Sequence, residues 1–263
     1  HGPGPDMDFA VTAPSEKLFP SVRDYPLCRL GTYRELVNDR SGFQRAFCEL
    51  VLAEAGLRGR VLDIGCGGRF PQALLPLLSE IMWLDGVDPS EAIRKHPGLR
   101  KRWESRLEDS NVPAGTYDLA LAYNVVEHVE DPMPFLAKVC SVLKPGGVFW
   151  FLTPHSRHPF CTLVRLAQFA GHRGRLREAC EDREGQAIVN EYPAFYRMNC
   201  RRDVLRYIRR QGFSAVQFHW MPCMQWDRYF TGSLRWVPHL YDRLLGVRFR
   251  SRALLFVAGI RKR

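Results

Sequence analysis

Short apolar runs alternate with stretches of helical periodicity through the middle of the chain. Strands that are buried on both faces of a parallel sheet have continuous apolar runs of this kind, and the helices between them serve as crossover connections. The pattern therefore predicts an α/β fold with a doubly wound, mostly parallel sheet that carries helices on both faces. We expect strands over residues 60–64, 81–87, 119–123, 148–152, 213–219 and 254–260.

The helical pattern recurs between these runs. Apolar positions follow a helical spacing over residues 34–55, with a break around Ser41 and Gly42, and Gly56 suits the C-terminal end of that helix. Further helices are expected over residues 72–78, from Ser90 onward and over residues 134–143.

The ends of the chain differ in composition from its middle. Residues 1–30 are rich in Pro and Gly and lack sustained periodicity, so we expect a flexible N-terminal arm, whose residues before Met7 are foreign to the native protein. Residues 31–263 are expected to form one domain. Two long insertions that carry aromatic residues, 154–200 and 222–252, are expected to form a cap over the substrate.

Composition narrows the class of protein. With 46% hydrophobic and 25% charged residues among 263, the chain is globular rather than disordered. Its eight cysteines form no CxxC pair, which predicts a reducing cytoplasm and no metal site. No apolar run approaches the roughly 20 residues that span a bilayer. The net charge of +10 comes mainly from scattered arginines, so we expect a small-molecule partner rather than nucleic acid, and leave peripheral membrane contact and the oligomeric state open.

A glycine-rich turn follows the first expected strand of the sheet. Residues 61–68, with the sequence VLDIGCGG, run from an apolar strand into Gly65 and Gly67. Glycines let a backbone approach a nucleotide-like ligand closely, although a tight turn without a ligand has the same pattern. The next strand ends in Asp88, where a carboxylate accepts the two hydroxyls of a ribose or, alternatively, caps a helix. The two features together favour a nucleotide-like ligand.

Two further motifs complete the pattern. Residues 117–132 have the sequence YDLALAYNVVEHVEDP, and residues 143–151 have the sequence LKPGGVFWF. In this order and spacing the motifs resemble the class I S-adenosylmethionine-dependent methyltransferases, in particular the small-molecule group that includes the ubiquinone-biosynthesis methyltransferases. The resemblance covers residues 40–155 and, more loosely, residues 200–263. It implies a Rossmann-like, seven-stranded sheet and S-adenosyl-L-methionine as the cofactor.

The resemblance also implies where the cofactor lies. The glycine-rich turn borders its methionine part, Asp88 binds the ribose hydroxyls, and the segment around Leu107 flanks the adenine. Arg69 departs from the family pattern, which often has a third glycine at this place, and Gly68 is the alternative source of flexibility. The cofactor-binding residues expected on this basis are Asp63, Gly65, Cys66, Gly67, Asp88, Pro89, Leu107, Glu108 and Asn124.

The glycine-rich turn by itself also fits a nicotinamide-dependent dehydrogenase on the same fold. The last glycine of that family's GxGxxG pattern is replaced here by Phe70, and the later motifs have no role in that family. The chain also lacks the Gly-Lys-Ser/Thr of a P-loop. We therefore expect a methyltransferase, with a non-catalytic binding protein of the same fold as the alternative from another class.

Two histidines follow expected strands near the methyl donor. A neutral imidazole accepts a proton near pH 7, so His128 and His155 are candidate catalytic bases. The alternatives are that His128 braces the start of a helix and that His155 is an exposed loop residue. Aromatic and charged residues late in the first insertion suit an organic acceptor, and we expect Tyr192, Tyr196 and Arg197 to contact it.

The expected reaction is O-methylation of a small molecule. A secondary metabolite, a quinone-like compound or a glycan-related compound would suit the acceptor site. N-methylation is the first alternative and RNA methylation a more remote one, because the motifs of this fold report the cofactor better than the acceptor.

Overall fold

The computed structural model describes residues 21–25, 42–55, 59–70, 83–170, 192–209, 211–221, 236–241 and 253–263, together with positions 77, 81 and 244. The strands are β1 (Ser21–Tyr25), β2 (Arg60–Ile64), β3 (Trp83–Val87), β4 (Arg102–Trp103), β5 (Tyr117–Tyr123), β6 (Leu143–Pro154), β7 (Phe213–Met221) and β8 (Leu255–Lys262). The α-helices are α1 (Gly42–Ala55), α2 (Pro132–Val142), α3 (Pro159–Phe169), α4 (Arg201–Ile208) and α5 (Trp236–Tyr241). Two short 3-10 helices cover Glu91–Lys95 and Val126–His128.

One sheet runs through the described residues in the order β1-β7-β8-β6-β5-β2-β3-β4. The strands from β2 to β6 pair in parallel, whereas β8 is antiparallel to both of its neighbours, β6 and β7. Because β2 pairs with β3 on one side and with β5 on the other, the course of the chain across the sheet reverses at β2. In open α/β sheets a reversal of this kind leaves a crevice at the carboxyl ends of the strands, where ligands bind.

The centre of the sheet is buried on both faces. Residues 119–122 of β5 and 148–153 of β6 are all buried, which is the physical reason that these segments are uninterrupted apolar runs. Their pairing register matches Leu119 with Val148 and continues to the carboxyl ends of both strands. The residues that follow β5 and β6 therefore lie at one edge of the sheet.

Helix α2 anchors the loop that follows β5. The Asp131 side chain caps the helix by accepting a hydrogen bond from the Met133 backbone N–H at 3.0 Å, and Pro132 stands in the first turn. The Phe135 ring packs edge-on against Phe149 of β6, with 6.0 Å between ring centres. The loop from residue 124 to residue 131 is therefore fixed at both ends.

The predicted α/β, Rossmann-like sheet is confirmed. The six expected strands correspond to β2, β3, β5, β6, β7 and β8. The two-residue strand β4 was not expected from the pattern, and it completes the seven strands that the resemblance implies. Strand β1 adds an eighth at the edge, from a segment of the arm that shows no strand pattern. Segment 91–95 is a 3-10 helix, and α2 begins two residues before the expected 134 because Asp131 caps it. Gly56, the break around Ser41 and, apart from position 77, the helix expected over 72–78 lie outside the described residues. Within the described parts, no helix is both long and apolar enough to cross a bilayer.

Candidate active site

A cavity of about 540 Å³ opens at the carboxyl ends of β2, β3 and β5. This volume lies within the range of small-molecule sites, roughly 300 to 1,000 Å³. One wall comes from the ends of β2 and β3 and from residues 105–108. The opposite wall comes from the loop after β5, from Phe135 of α2 and from the distant residues Tyr192, Pro193 and Phe195. The cavity thus has a wall of contiguous motifs and a wall assembled from separate parts of the chain.

The glycine-rich turn after β2 belongs to the first wall, where Gly65 lines the cavity. Gly65 and Gly67 have φ angles of 73° and 57°, a conformation that residues with a Cβ rarely adopt. The Gly65 backbone N–H donates to the Val87 carbonyl at 2.7 Å and ties the turn to β3. A Cβ on Gly65 would stand 2.4 Å from a methyl of Val125, whereas a Cβ on Gly67 would meet no described atom within 4 Å. The turn is therefore closed at Gly65 and open at Gly67.

Arg69 does not fill the turn. Its side chain is exposed, and it is not among the residues that line the cavity. Close approach to the next helical segment occurs instead at Gly68, where a Cβ would stand 3.1 Å from the Ala92 carbonyl oxygen. Gly68 thus supplies the close contact that the family's third glycine would be expected to make.

Asp88 lies at the end of β3 and lines the cavity. Its two carboxylate oxygens accept hydrogen bonds from the Gly67 backbone N–H at 2.9 Å and from the Ser90 backbone N–H at 2.7 Å. The 3-10 helix that follows is capped by Ser90, whose side chain accepts from the Ala92 N–H. The helix-cap alternative therefore applies to Ser90, while Asp88 joins the turn to the cavity wall.

Asp63 lies behind the turn. Its side chain is buried, and its Oδ2 atom has no hydrogen-bond partner among the described residues. Burial, and then the neighbouring charge of Asp88, raise the pKa of Asp63 to about 8. Cys66 is also buried, and burial raises the pKa of its thiol. Neither side chain lines the cavity, but an unpaired buried carboxyl oxygen beside a second carboxylate suits a cationic ligand group.

The remaining cofactor predictions fall on the cavity wall. Pro89, Leu107, Glu108 and Asn124 all line it, and Ser105 and Arg106 line it as well, although the motifs did not indicate them. Asn124 takes a positive φ of 56° at the end of β5, where its N–H donates to the Leu152 carbonyl at 2.9 Å. Asn tolerates this conformation better than most residues that carry a side chain, so the turn out of β5 is compatible with its sequence.

His128 lies on the second wall. Its Nδ1 atom is 2.9 Å from the Pro193 carbonyl oxygen, and its Nε2 atom is 3.9 Å from Oε1 of Glu127. A carbonyl only accepts hydrogen bonds, so Nδ1 carries the hydrogen and Nε2 is the basic nitrogen of the neutral ring. The ring also meets Tyr192 edge-on, with 6.2 Å between ring centres.

His155 lies elsewhere. It is buried, stacks on Phe256 with 5.7 Å between ring centres, and is not among the residues that line the cavity. Burial, and then the charge of Arg157, lower the pKa of His155 to about 4. The exposed-loop alternative for this histidine is therefore wrong, and the structure does not bring the two candidate bases together.

The predicted acceptor residues have three different positions. Tyr192 lines the cavity, Tyr196 is buried away from it with a φ of 51°, and Arg197 is exposed and does not line it. Pro193 and Phe195 line the cavity although they were not predicted to do so. Their composition carried no distinguishing signal, because backbone geometry decides which side chains of this irregular segment face the cavity.

The sheet order and the cavity at the β2 reversal are those of a Rossmann-like α/β fold. A family model described as a methyltransferase domain matches residues 37–218, and the chain belongs to this family.

Relatives and solved structures agree with this assignment. The ubiquinone biosynthesis O-methyltransferase of Vibrio parahaemolyticus is 35% identical over 106 residues, which are 37% of this chain and 45% of that protein. The human mitochondrial enzyme of the same name is 38% identical over 104 residues, which are 36% of this chain and 28% of that protein. The chain thus matches less than half the length of each of these curated relatives.

Two solved structures share the fold at low sequence identity. A methyltransferase of Archaeoglobus fulgidus superimposes with a TM-score of 0.52 at 16% identity, over 88% of this chain and 98% of that one. The geranyl diphosphate C-methyltransferase of Streptomyces coelicolor, solved with S-adenosyl-L-homocysteine, gives a TM-score of 0.52 at 16% identity, over 91% and 90%. At this identity the similarity shows the fold alone.

The residues present fit S-adenosylmethionine. The open space beside Gly67 admits a close ligand, and the unpaired oxygen of Asp63 suits the amino group of the methionine part. The cavity wall supplies Asp88 for hydroxyls and the buried, apolar Leu107 for a flat base. A positively charged cofactor also suits a turn that holds two neighbouring carboxyl groups.

Proposed function

We propose that this protein methylates a hydroxyl oxygen on a small aromatic, quinone-like molecule, with His128 as the base that takes the hydroxyl proton. The observation that carries the proposal is the position of His128 on the cavity wall, where the Pro193 carbonyl holds Nδ1 and leaves Nε2 basic. The names of the two relatives, both O-methyltransferases of ubiquinone biosynthesis, agree with an oxygen acceptor.

The composition of the second wall supports an aromatic acceptor. Most of the residues in this wall are apolar or aromatic, namely Val125, Val129, Phe135, Tyr192, Pro193 and Phe195. The polar residues beside them are Asn124, His128 and Glu130. Aromatic side chains favour flat ligands, and a few polar groups in a mostly apolar wall fix their orientation. A sugar would leave most of its hydroxyls unpaired against these residues, which disfavours the glycan-related acceptor.

The cofactor supplies an electrophilic methyl group on a sulfonium, and the bonding electron pair stays with sulfur when the acceptor oxygen takes the methyl. The protein aligns the acceptor between the aromatic wall and the glycine-rich turn, and it excludes water from the crevice. His128 Nε2 receives the proton that leaves the hydroxyl, so that the oxygen becomes a better nucleophile as it reacts. Asp88 and the turn hold the donor side in place.

Two further proposals concern the location of the enzyme in the cell and the cap over the acceptor. We propose that the enzyme works in the cytoplasm, because the five cysteines that the structure describes are free thiols.

We also propose that residues 192–199 form the acceptor side of the cap, since three of them line the cavity. Oligomeric state does not enter the proposal.

Binding is the first test. Calorimetric titration with S-adenosylmethionine, S-adenosylhomocysteine and NADH in parallel is expected to show micromolar binding of the two sulfur compounds and none of NADH. Tight binding of NADH alone would contradict the cofactor site.

Turnover is the second test, with three probes that differ in the group offered for methylation. Catechol, 1,2-diaminobenzene and methyl glucoside present an aromatic hydroxyl, an aromatic amine and an aliphatic hydroxyl. Mass spectrometry is expected to find a methyl ether of catechol and little product from the others. Product from diaminobenzene alone would favour N-methylation, and micromolar cofactor binding without any product would favour a non-catalytic protein.

A matched pair of variants tests the base. His128→Gln is expected to lower kcat on catechol about 100-fold, which is the low end of the contribution of acid–base catalysis. His155→Gln removes the buried histidine and is expected to change stability while leaving kcat per folded molecule within about twofold. Full turnover by His128→Gln would refute the proposed base.

A further inference from the structure

The mechanism above does not use the buried acid that stands next to the proposed base. Glu127 precedes His128, is 5% exposed, and lies between the loop after β5 and the end of β6. We propose that Glu127 is a positioning residue for methyl transfer. It would hold His128 in a fixed position relative to the rest of the second wall, which we call the acceptor wall, and it would balance the positive charge that His128 gains. This inference rests on the proposed role of His128 as the base.

Both oxygens of the Glu127 carboxyl have partners in the site. Oε2 accepts a hydrogen bond from Thr153 Oγ1 at 2.7 Å, and Thr153 Oγ1 in turn accepts from Asn199 Nδ2 at 2.5 Å. Asn199 Nδ2 also donates to the Pro154 carbonyl at 3.0 Å. This chain fixes one oxygen to β6 and to the acceptor segment, and the other oxygen, Oε1, faces His128 Nε2 at 3.9 Å.

The backbone of Glu127 binds the same segment. Its carbonyl oxygen accepts hydrogen bonds from the N–H groups of Phe195 at 2.7 Å and Tyr196 at 3.1 Å. One residue further along, His128 Nδ1 bonds to the Pro193 carbonyl. The loop after β5 and the acceptor wall are therefore joined by three hydrogen bonds from two adjacent residues, and a shift of Glu127 would move both.

The charge of Glu127 gives it a second role besides holding the loop in place, which is to stabilise protonated His128. Burial raises the pKa of Glu127, because the charged carboxylate is costly away from water. When the acceptor hydroxyl loses its proton to His128 Nε2, a cation arises beside Oε1, and the carboxylate then stabilises it. The proton leaves the acceptor oxygen, binds Nε2, and the Nδ1 hydrogen remains directed at Pro193.

Few other groups near this pair titrate. Cys161 of α3 faces Glu127, and burial, followed by the charge of Glu127, raises the pKa of its thiol, which stays neutral. Tyr192 meets the His128 ring. The charged residues that line the same cavity are Asp88, Arg106, Glu108 and Glu130. Because His128 Nε2 lies 3.9 Å from Glu127 Oε1, a change in the charge of Glu127 is felt at the imidazole.

The test is Glu127→Gln, which keeps the size of the side chain, an oxygen for Thr153 and the backbone hydrogen bonds, but removes the charge. The titration midpoint of His128, followed by NMR of isotope-labelled histidine side chains, is expected to move down by about one pH unit. The acid limb of the kcat profile on catechol is expected to move with it. We expect kcat to fall about tenfold or more, with KM for catechol and Kd for S-adenosylhomocysteine within about twofold of wild type.

The matched control is Glu49→Gln, the same change at an exposed acid of α1. It is expected to leave the His128 midpoint and kcat unchanged. If Glu127→Gln does not fold, Glu127→Asp replaces it: the charge is kept but withdrawn by one methylene, so the His128 midpoint and kcat should still fall, by less.

An unmoved His128 midpoint in the Glu127 variants would overturn the inference, and so would a moved midpoint with an unchanged kcat profile. The proposed function fails separately. Wild-type turnover by His128→Gln refutes the base itself, whereas an inactive His128→Gln beside a fully active Glu127→Gln refutes only the role of Glu127.

Discussion

The two walls of the cavity are built in different ways. The first wall, which we call the cofactor wall, consists of consecutive β-strand and turn units. Backbone hydrogen bonds and glycine conformations set its shape. The acceptor wall joins His128 to Pro193, 65 positions further along the chain, and Thr153 to Asn199, 46 positions further along. A site made of local backbone leaves a motif in the sequence, whereas a site made of distant side chains leaves almost none.

The walls also differ in charge. At the cofactor wall, Asp88 lines the cavity and Asp63 is buried behind it, and the pKa of Asp63 is raised to about 8 by burial and by Asp88. On the acceptor wall, the buried Glu127 faces an imidazole. The first arrangement suits a ligand that is already a cation, and the second suits a proton that arrives during the reaction.

The largest effect is expected from Gly65→Ala on the cofactor wall. The new Cβ imposes an unfavourable φ, which costs about 1 kcal/mol, and overlaps a methyl of Val125, which costs about 1 to 3 kcal/mol more. Urea denaturation measures the loss of stability, and calorimetry is expected to show that S-adenosylhomocysteine binding is lost. The control is Gly146→Ala, where φ is 77° but a Cβ would meet no atom of the described residues within 4 Å. Equal losses in the two variants would show that the Val125 contact is unimportant.

Asp88→Ala is expected to weaken binding of S-adenosylmethionine about tenfold or more, since a lost hydrogen bond to a charged acceptor is worth about 1.5 to 3 kcal/mol. The variant also leaves the N–H groups of Gly67 and Ser90 without their acceptor. Asp88→Asn therefore tests the charge more selectively, because its amide oxygen still accepts a hydrogen bond from one of these two N–H groups. Calorimetry on both variants, with the exposed Asp109→Ala as control, measures the effect. Unchanged affinity in Asp88→Asn and Asp88→Ala would refute the ribose assignment.

The smallest expected effect is a dependence of the free energy of unfolding on pH. The pKa of Asp63 in the folded protein, about 8, is higher than the value near 3.9 of an unfolded chain, so the folded state binds more protons between these limits. The stabilisation is complete below about pH 4 and is lost as pH rises through about 8. We expect the free energy of unfolding to fall by about 1 kcal/mol per pH unit near neutrality in the wild type, and to be flatter in Asp63→Asn.

Urea denaturation over the neutral range measures this slope. Saturating S-adenosylhomocysteine is expected to flatten it in the wild type, because the amino group of the ligand favours the charged carboxylate. A wild-type slope equal to that of Asp63→Asn would contradict the environment described for Asp63.

Much of the cofactor wall was predictable because its determinants are local. Apolar runs located the strands, and of the nine predicted cofactor residues, Gly65, Asp88, Pro89, Leu107, Glu108 and Asn124 line the cavity. Of the three others, Asp63 and Cys66 are buried, whereas Gly67 is half-buried beside open space and is not among the lining residues. Which atoms of a turn reach the ligand depends on how the strands pack against it.

The acceptor wall depended on long-range contacts. His128 and His155 both follow strands and have the same chemistry, yet one lines the cavity and the other stacks on Phe256. Tyr192 and Tyr196 are four positions apart, and a positive φ at Tyr196 together with hydrogen bonds to the Glu127 carbonyl directs only the first into the cavity. No local pattern distinguishes the members of these pairs.

The sequence by itself determined the parallel sheet, the glycine-rich turn and the acid at the end of β3, because periodicity, backbone freedom and chain order are local properties. The tertiary structure decided the pairing of β1 with β7, the histidine that lines the cavity, and the carboxyl of Glu127 beside it. These depend on which distant segments meet when the apolar faces of the sheet are buried, and only the folded chain brings those segments together.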